Sequence, residues 1–198
     1  MTDLAERRGM NTSVYQPAED SGLLAQAVIG RVSGRVLEVG TGSGWVAEQL
    51  VRKTDAEVVA SDLNPHACEQ AAERSAALRE EGERGFHVVR GNLVSPFRDD
   101  SFDAVAFNPP YLPEDLEAAR DDWMEVALTG GKDGREIINP FLDTVGRVLK
   151  PGGEVYLLVS SLTGYDEVLA RAEENGFGHE VVVQESYPYE TLTVLALK

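Results

Sequence analysis

A short apolar run from Arg35 to Val39 passes directly into Gly40-Thr41-Gly42-Ser43-Gly44, and Trp45 to Arg52 then carries helical periodicity. A strand that meets a helix through so tight a turn commits the chain to a βα unit. The pattern recurs. Glu57 to Ala60 reads as a second strand, and Pro65 to about Glu81 as a helix with Asn64 as its N-cap. Phe86 to Arg90 is a short third strand, and Phe102 to Phe107 a fourth that runs into Asn108-Pro109-Pro110-Tyr111. Upstream, a helix is expected from Pro17, with Glu19 and Asp20 at its positive end. Downstream, Arg135 to Leu149 reads as a helix, Lys150-Pro151-Gly152-Gly153 as a turn and Glu154 to Ser160 as a fifth strand. Tyr165 to Glu174 is a last helix, ended by Asn175-Gly176. Val181 to Gln184 and Thr191 to Leu197 close the chain as strands around Pro188. Strands and helices at this spacing form parallel βαβ units, to which the final hairpin adds an antiparallel strand. One α/β domain over residues 14–198 is expected, with the polar, aperiodic residues 1–13 mobile.

The length of 198 residues suits a single domain, which buries roughly 70% of the surface its unfolded chain exposes. No apolar run approaches the ~18 residues of a membrane span, and the N-terminus lacks the apolar core of a signal peptide, so a soluble cytoplasmic protein is expected. Cys68 is the only cysteine, and His66, His87 and His179 are scattered, so neither an internal disulfide nor a metal-ligand cluster is expected. The charge is the unusual quantity. Thirty-four acids oppose eighteen bases, giving −16. Such a field repels phosphate backbones and opposes non-specific nucleic-acid binding. It also describes a surface adapted to concentrated salt, where a Debye length of about 3 Å at ~1 M screens self-repulsion. A halophilic source is the expectation.

Three elements carry chemistry. The glycines after the first strand allow a tight turn and let a ligand approach the backbone beside a helix N-terminus. A turn without a ligand is the alternative for such a loop taken alone. The last glycine of a dinucleotide fingerprint would fall on bulky Trp45, which disfavours pyrophosphate. Asp62 follows the second strand, 22 positions after Gly40, where a carboxylate can accept both ribose hydroxyls of a nucleoside. Its other possible role is helix capping, which Asn64 can already perform. Glu38 can orient the loop or meet a ligand's ammonium group, and Asn92 can contact an adenine edge. The third element is Asn108-Pro109-Pro110-Tyr111. Two prolines stiffen the turn and hold the Asn108 side chain and the Pro109 carbonyl as fixed acceptors beside an aromatic ring. That arrangement suits a planar group carrying an NH2, which stacks and donates both hydrogens.

With these residues in this order, and with Lys150 to Gly153 after them, the chain resembles class I S-adenosylmethionine-dependent methyltransferases. Within that superfamily it resembles the HemK group of release-factor glutamine methyltransferases, and more closely their archaeal and eukaryotic branch. Val14-Tyr15-Gln16-Pro17-Ala18-Glu19-Asp20-Ser21 and Gly130-Gly131-Lys132-Asp133-Gly134-Arg135-Glu136 carry the closer likeness. The resemblance implies a Rossmann-like α/β fold: a seven-stranded, mostly parallel sheet with one antiparallel strand and helices on both faces. It places Ser21, Glu38, Gly40, Asp62, Asn92, Leu93 and Asn108 around S-adenosylmethionine. Asn108, Pro109, Pro110 and Tyr111, with Leu112 at the edge, would hold the substrate glutamine. Asn92 stands where relatives commonly carry Asp, and its carbonyl can still accept from the adenine amino group. Arg135 and Glu136 either shape the substrate mouth or open a helix.

The implied reaction is N5-methylation of the glutamine in a release factor's Gly-Gly-Gln loop. Methylation of an exocyclic amine in DNA or RNA is the alternative, since adenine N6 is also a planar NH2; another protein substrate such as lysine, and a non-catalytic binding subunit, are further readings. The branch works with a small zinc-binding activator protein, and its strand order leaves the third strand, Phe86 to Arg90, at a sheet edge open to such a partner. Trp45 is expected to pack behind the glycine loop, Cys68 to face the core from its helix, and Trp123 and Met124 to belong to a lid or a self-packed loop. The salt reading is checked by thermal unfolding. The midpoint is expected to rise from dilute buffer to molar KCl, and equal stability in the two would contradict a halophilic source.

Overall fold

Val36 and Leu37 are both fully buried, although neighbours on a strand point to opposite faces, so β1 (Arg35–Val39) is covered on both sides. The computed structural model describes residues 14, 17–111, 130, 134–188 and 190–198. Around β1 they form α1 (Glu19–Val28), α2 (Trp45–Lys53), β2 (Glu57–Asp62), α3 (Pro65–Glu80), β3 (His87–Arg90) and β4 (Phe102–Phe107). Then come α4 (Ile138–Val145), β5 (Leu149–Ser160), α5 (Tyr165–Glu174), β6 (His179–Ser186) and β7 (Thr191–Leu197). The sheet order is β3-β2-β1-β4-β5-β7-β6. β7 runs antiparallel to both β5 and β6, and the other pairings are parallel.

Each face of the sheet has its own core. Leu24 of α1, Leu50 of α2 and Leu78 of α3 meet Val36, Val58, Ala106 and Tyr156 on one side. On the other, Phe141 and Leu142 of α4 and Val168 of α5 meet Leu37, Val105, Phe107 and Leu157. Alternate strand residues serve the two layers, which is the period-2 arrangement of a doubly covered sheet.

Several boundaries differ from the sequence reading. α1 starts at Glu19 rather than Pro17. α4 spans only Ile138–Val145 and passes through a 3-10 turn, Gly146–Val148, into β5 at Leu149. The segment read as a turn, Lys150 to Gly153, lies inside β5. The β4–β5 register jumps from Phe102 opposite Leu149 to Ala104 opposite Glu154, so these residues form an irregularity that keeps the strand edge paired. β3 begins at His87 because Phe86 is tied to α3: its N–H donates to Ser75 Oγ at 2.8 Å, while Ser75 Oγ and Arg79 donate to its carbonyl. β6 extends to His179–Ser186, two residues beyond the expected strand at each end. Residues 1–13, Tyr15, Gln16, Leu112, Trp123, Met124 and the run 131–133 lie outside the described residues. No described helix is long and apolar enough to cross a membrane, and no described cluster of His, Cys, Asp and Glu could hold a metal.

Candidate functional site

At the carboxyl ends of β1, β2 and β4 the sheet opens into a cleft. Parallel α/β sheets bind ligands there, because helix N-termini and loops converge on those strand ends. Ser21, Glu38, Gly40, Asp62, Asn92, Leu93, Asn108, Pro109, Pro110 and Tyr111 all line it, so the structure brings together these ten of the residues singled out from sequence.

The glycine loop enters the cleft from β1. Gly40 has φ +64°, and a Cβ there would stand 3.2 Å from the Phe107 ring. Gly44 caps α2 at φ +77°, where a Cβ would press on Ala71 of α3 at 3.0 Å. Both positions favour glycine, the second because α2 and α3 meet there. Glu38 holds the loop in shape. Its Oε2 accepts from Thr41 Oγ1 at 2.6 Å and from the Ala47 N–H at 3.0 Å, and Oε1 takes no bond shown among the described residues. From β2, Asp62 Oδ2 accepts from the Gly42 N–H and Oδ1 from the Asn64 N–H, each at 2.9 Å. Asn64 itself caps α3 by accepting from the His66 N–H, so Asp62 is released from that role.

Asp20, Glu38 and Asp62 line the cleft, and no Lys, Arg or His is among the described lining residues. Burial pushes the Glu38 carboxyl up to about 8; its bonds from Thr41 and Ala47 oppose this, and the charge of Asp62 adds to it. Burial likewise raises Asp62, against the backbone N–H groups that lower it. Between pH 4.5 and about 8 the folded chain therefore holds a proton on Glu38 that the unfolded chain has lost. The Glu38 contribution to stability falls as pH rises through that window. A cation in the cleft would reverse this by favouring the ionised form.

The opposite wall comes from β4. Asn108 Oδ1 is buried and has no hydrogen-bond partner among the described residues. Beside it Tyr111 is 7% exposed, and its hydroxyl donates to Asp20 Oδ2 at 3.4 Å. Leu93, which also lines the cleft, takes φ +48°, a left-handed conformation uncommon for a residue with a bulky side chain.

Four lining residues that the sequence reading did not place at the site stand out. Asp20 was read only as a helix-end acid, Leu63 and Ile137 carried no signal, and Trp45 was expected behind the loop. Trp45 packs against the core while also facing the cleft. Cys68 is half-buried rather than in the core, with Sγ 3.5 Å from the Asp62 carbonyl. Arg135 donates to the Thr163 carbonyl and holds the start of α5, and Glu136 closes a turn by donating its N–H to the Gly130 carbonyl at 2.8 Å. Neither lines the cleft.

A family profile described as a methyltransferase domain matches residues 36–131. A protein of Methanocaldococcus jannaschii named as a protein N5-glutamine methyltransferase is 35% identical, over 94% of this chain and 92% of its own. Methyltransferase HEMK2 of Homo sapiens is 29% identical over 95% of this chain and 91% of its own. Among solved structures, the E. cuniculi Mtq2–Trm112 complex, responsible for methylation of the eRF1 translation termination factor, contains a chain 33% identical to this one. The two superpose with a TM-score of 0.74, over 94% of this chain and 99% of that one.

Proposed function

The chain belongs to the HemK-type protein N5-glutamine methyltransferases, and on that premise we propose that it methylates the Gly-Gly-Gln glutamine of a peptide-chain release factor, with S-adenosylmethionine as methyl donor. The observation that carries the reading is Asn108 Oδ1, a buried acceptor that has no partner among the described residues and stands beside an aromatic ring. A buried acceptor without a partner costs about 1–3 kcal/mol, and an incoming amide N–H would relieve it.

The cleft also fits the donor. Its acids suit a cation, and its glycines admit a ligand close to the backbone. Asp62 would accept from the ribose hydroxyls and Oε1 of Glu38 from the ammonium group, with Ser21 and Gly40 alongside. Asn92 would accept from the adenine amino group and Leu93 cover the ring. When bound, S-adenosylmethionine supplies an electrophilic methyl group on a sulfonium.

The protein's own contribution follows from the weakness of an amide as a nucleophile. Its nitrogen lone pair is delocalised into the carbonyl. Asn108 Oδ1 and the Pro109 carbonyl would each accept one amide hydrogen, concentrating electron density on nitrogen and fixing its direction. Pro109 and Pro110 keep those acceptors from turning away. Tyr111, anchored through Asp20, offers its ring to the planar group. Fixed orientation supplies up to ~7–11 kcal/mol of barrier reduction. Positive charge that develops on nitrogen meets the negative ends of dipoles already in place. The nitrogen becomes acidic once methylated, so no histidine is needed as a base.

The neighbouring Mtq2–Trm112 complex supports a small activator partner for this chain as well. β3 is the edge it would meet: among the described strands it pairs only with β2. A zinc-binding activator that adds a strand to Phe86–Arg90 would cover Val88 and Val89.

Both proposals are checked with co-expressed activator and labelled S-adenosylmethionine in molar salt. Label is expected on the native release factor and absent from its Gln→Ala variant; label on nucleic acid alone would favour the exocyclic-amine reading. Asn108→Ala is expected to cut kcat by about 10²–10³. It is also expected to unfold no earlier than the wild type, since it removes an unpaired acceptor. Val88→Lys is expected to abolish co-purification of the activator, and an intact complex would refute the edge assignment.

A further inference from the structure

The glycine loop is restrained from three directions, and one lies outside the cleft. Glu38 reaches it from β1 and Asp62 from β2. The third restraint is Arg74 on α3, whose Nε donates to the Ser43 carbonyl at 2.8 Å and whose Nη1 pairs with Glu48 on α2. Neither Arg74 nor Glu48 lines the cleft. They sit in a groove between α2 and α3 with Arg52 and Glu81. Glu48 also accepts from Arg52 Nε at 2.9 Å, so its carboxylate is held from both sides.

The loop needs such a restraint. Gly40, Gly42 and Gly44 all have positive φ, and glycines leave the backbone many other conformations when no ligand is bound. Ser43 and Gly44 share one rigid peptide plane, so fixing the Ser43 carbonyl also directs the Gly44 N–H, which donates to the Thr41 carbonyl at 2.9 Å. That peptide stands at the entry to α2, where the cleft meets the helix N-terminus. The arginine fork is what allows one side chain to serve Ser43 and Glu48 together; a lysine is a single point charge. The side chains are 29% and 15% exposed, which shelters the pair from full screening by salt.

We infer that Arg74 is a positioning residue for the methyl donor: it fixes the Ser43–Gly44 peptide from behind and keeps the loop in its binding shape. The inference rests on reading the cleft as the S-adenosylmethionine site. Its signature is a loss of donor affinity with the chemical step intact, because Arg74 touches no reacting atom.

The test compares wild type, Arg74→Met and Arg74→Lys as complexes with the activator. It uses calorimetric titration with S-adenosylmethionine, steady-state methylation, and thermal unfolding without ligand. Arg74→Met is expected to raise the Kd for S-adenosylmethionine about tenfold, equivalent to about 1.4 kcal/mol. Arg74→Lys should resemble it. At saturating donor, kcat and the KM for release factor should stay within about twofold of wild type. An unchanged Kd in Arg74→Met, wild-type affinity in Arg74→Lys, or a fall in kcat at unchanged Kd would each overturn the inference. If both variants are unfolded at the assay temperature, Glu48→Gln, which loosens Arg74 without removing it, decides the matter: a severalfold rise in Kd supports it and an unchanged Kd overturns it. A wild type that fails to bind S-adenosylmethionine would instead remove the cofactor reading on which the inference stands.

Discussion

The bond pair at Glu38 Oε2 ties together the end of β1, the glycine loop and the first turn of α2. A loop made largely of glycines gains approach for a ligand and loses definition, and a buried carboxyl restores the definition without filling the space. The cost is electrostatic. Glu38 is 4% exposed and shares the cleft with Asp62 and Asp20, with no described base to neutralise them. Burial holds the Glu38 proton in place until something positive arrives. The carboxyl that shapes the loop thus also gives the cleft an acidic lining that suits a cation.

The β4 side follows the same logic with a neutral group. Asn108 Oδ1 is buried without a partner among the described residues, and Tyr111 is anchored to α1 through Asp20. Local stability is sacrificed on both walls, and two separate core layers around the sheet offset it. Leu93, with its left-handed backbone, adds a third strained point on the rim. Leu93 and Asn108 thus bring a strained backbone and an unsatisfied acceptor to the walls where the ligand and substrate would sit.

Much of this was legible in the amino-acid order because it is encoded locally. A strand running into Gly40 to Gly44, an acid after the next strand, and Asn-Pro-Pro-Tyr after the fourth each carry their chemistry within a few residues. Parallel topology then brings their carboxyl ends to one place. The residues that were missed lack a local signal. Trp45 lies on the helix face that could point either way, and Ile137 reaches the cleft only through the packing of α4. Arg74 is one of two arginines on α3, and its role appears only once α3 lies against α2. The misplaced start of β5 has a similar cause. Pro151 and Gly152 are strong turn signals, and the pairing of β4 with β5 overrides them by absorbing the extra residues as an irregularity.

The central claim is that the cleft receives a cation whose arrival ionises Glu38. Proton exchange on binding tests this directly, by calorimetry of S-adenosylmethionine at pH 7 in two buffers of different ionisation enthalpy, with Glu38→Gln as reference. With the carboxyl near 8 before binding, wild type is predicted to release more protons than Glu38→Gln, and its affinity to rise with pH and level off above about 8. Equal proton exchange in the two proteins, with the same pH dependence of affinity, would contradict the account.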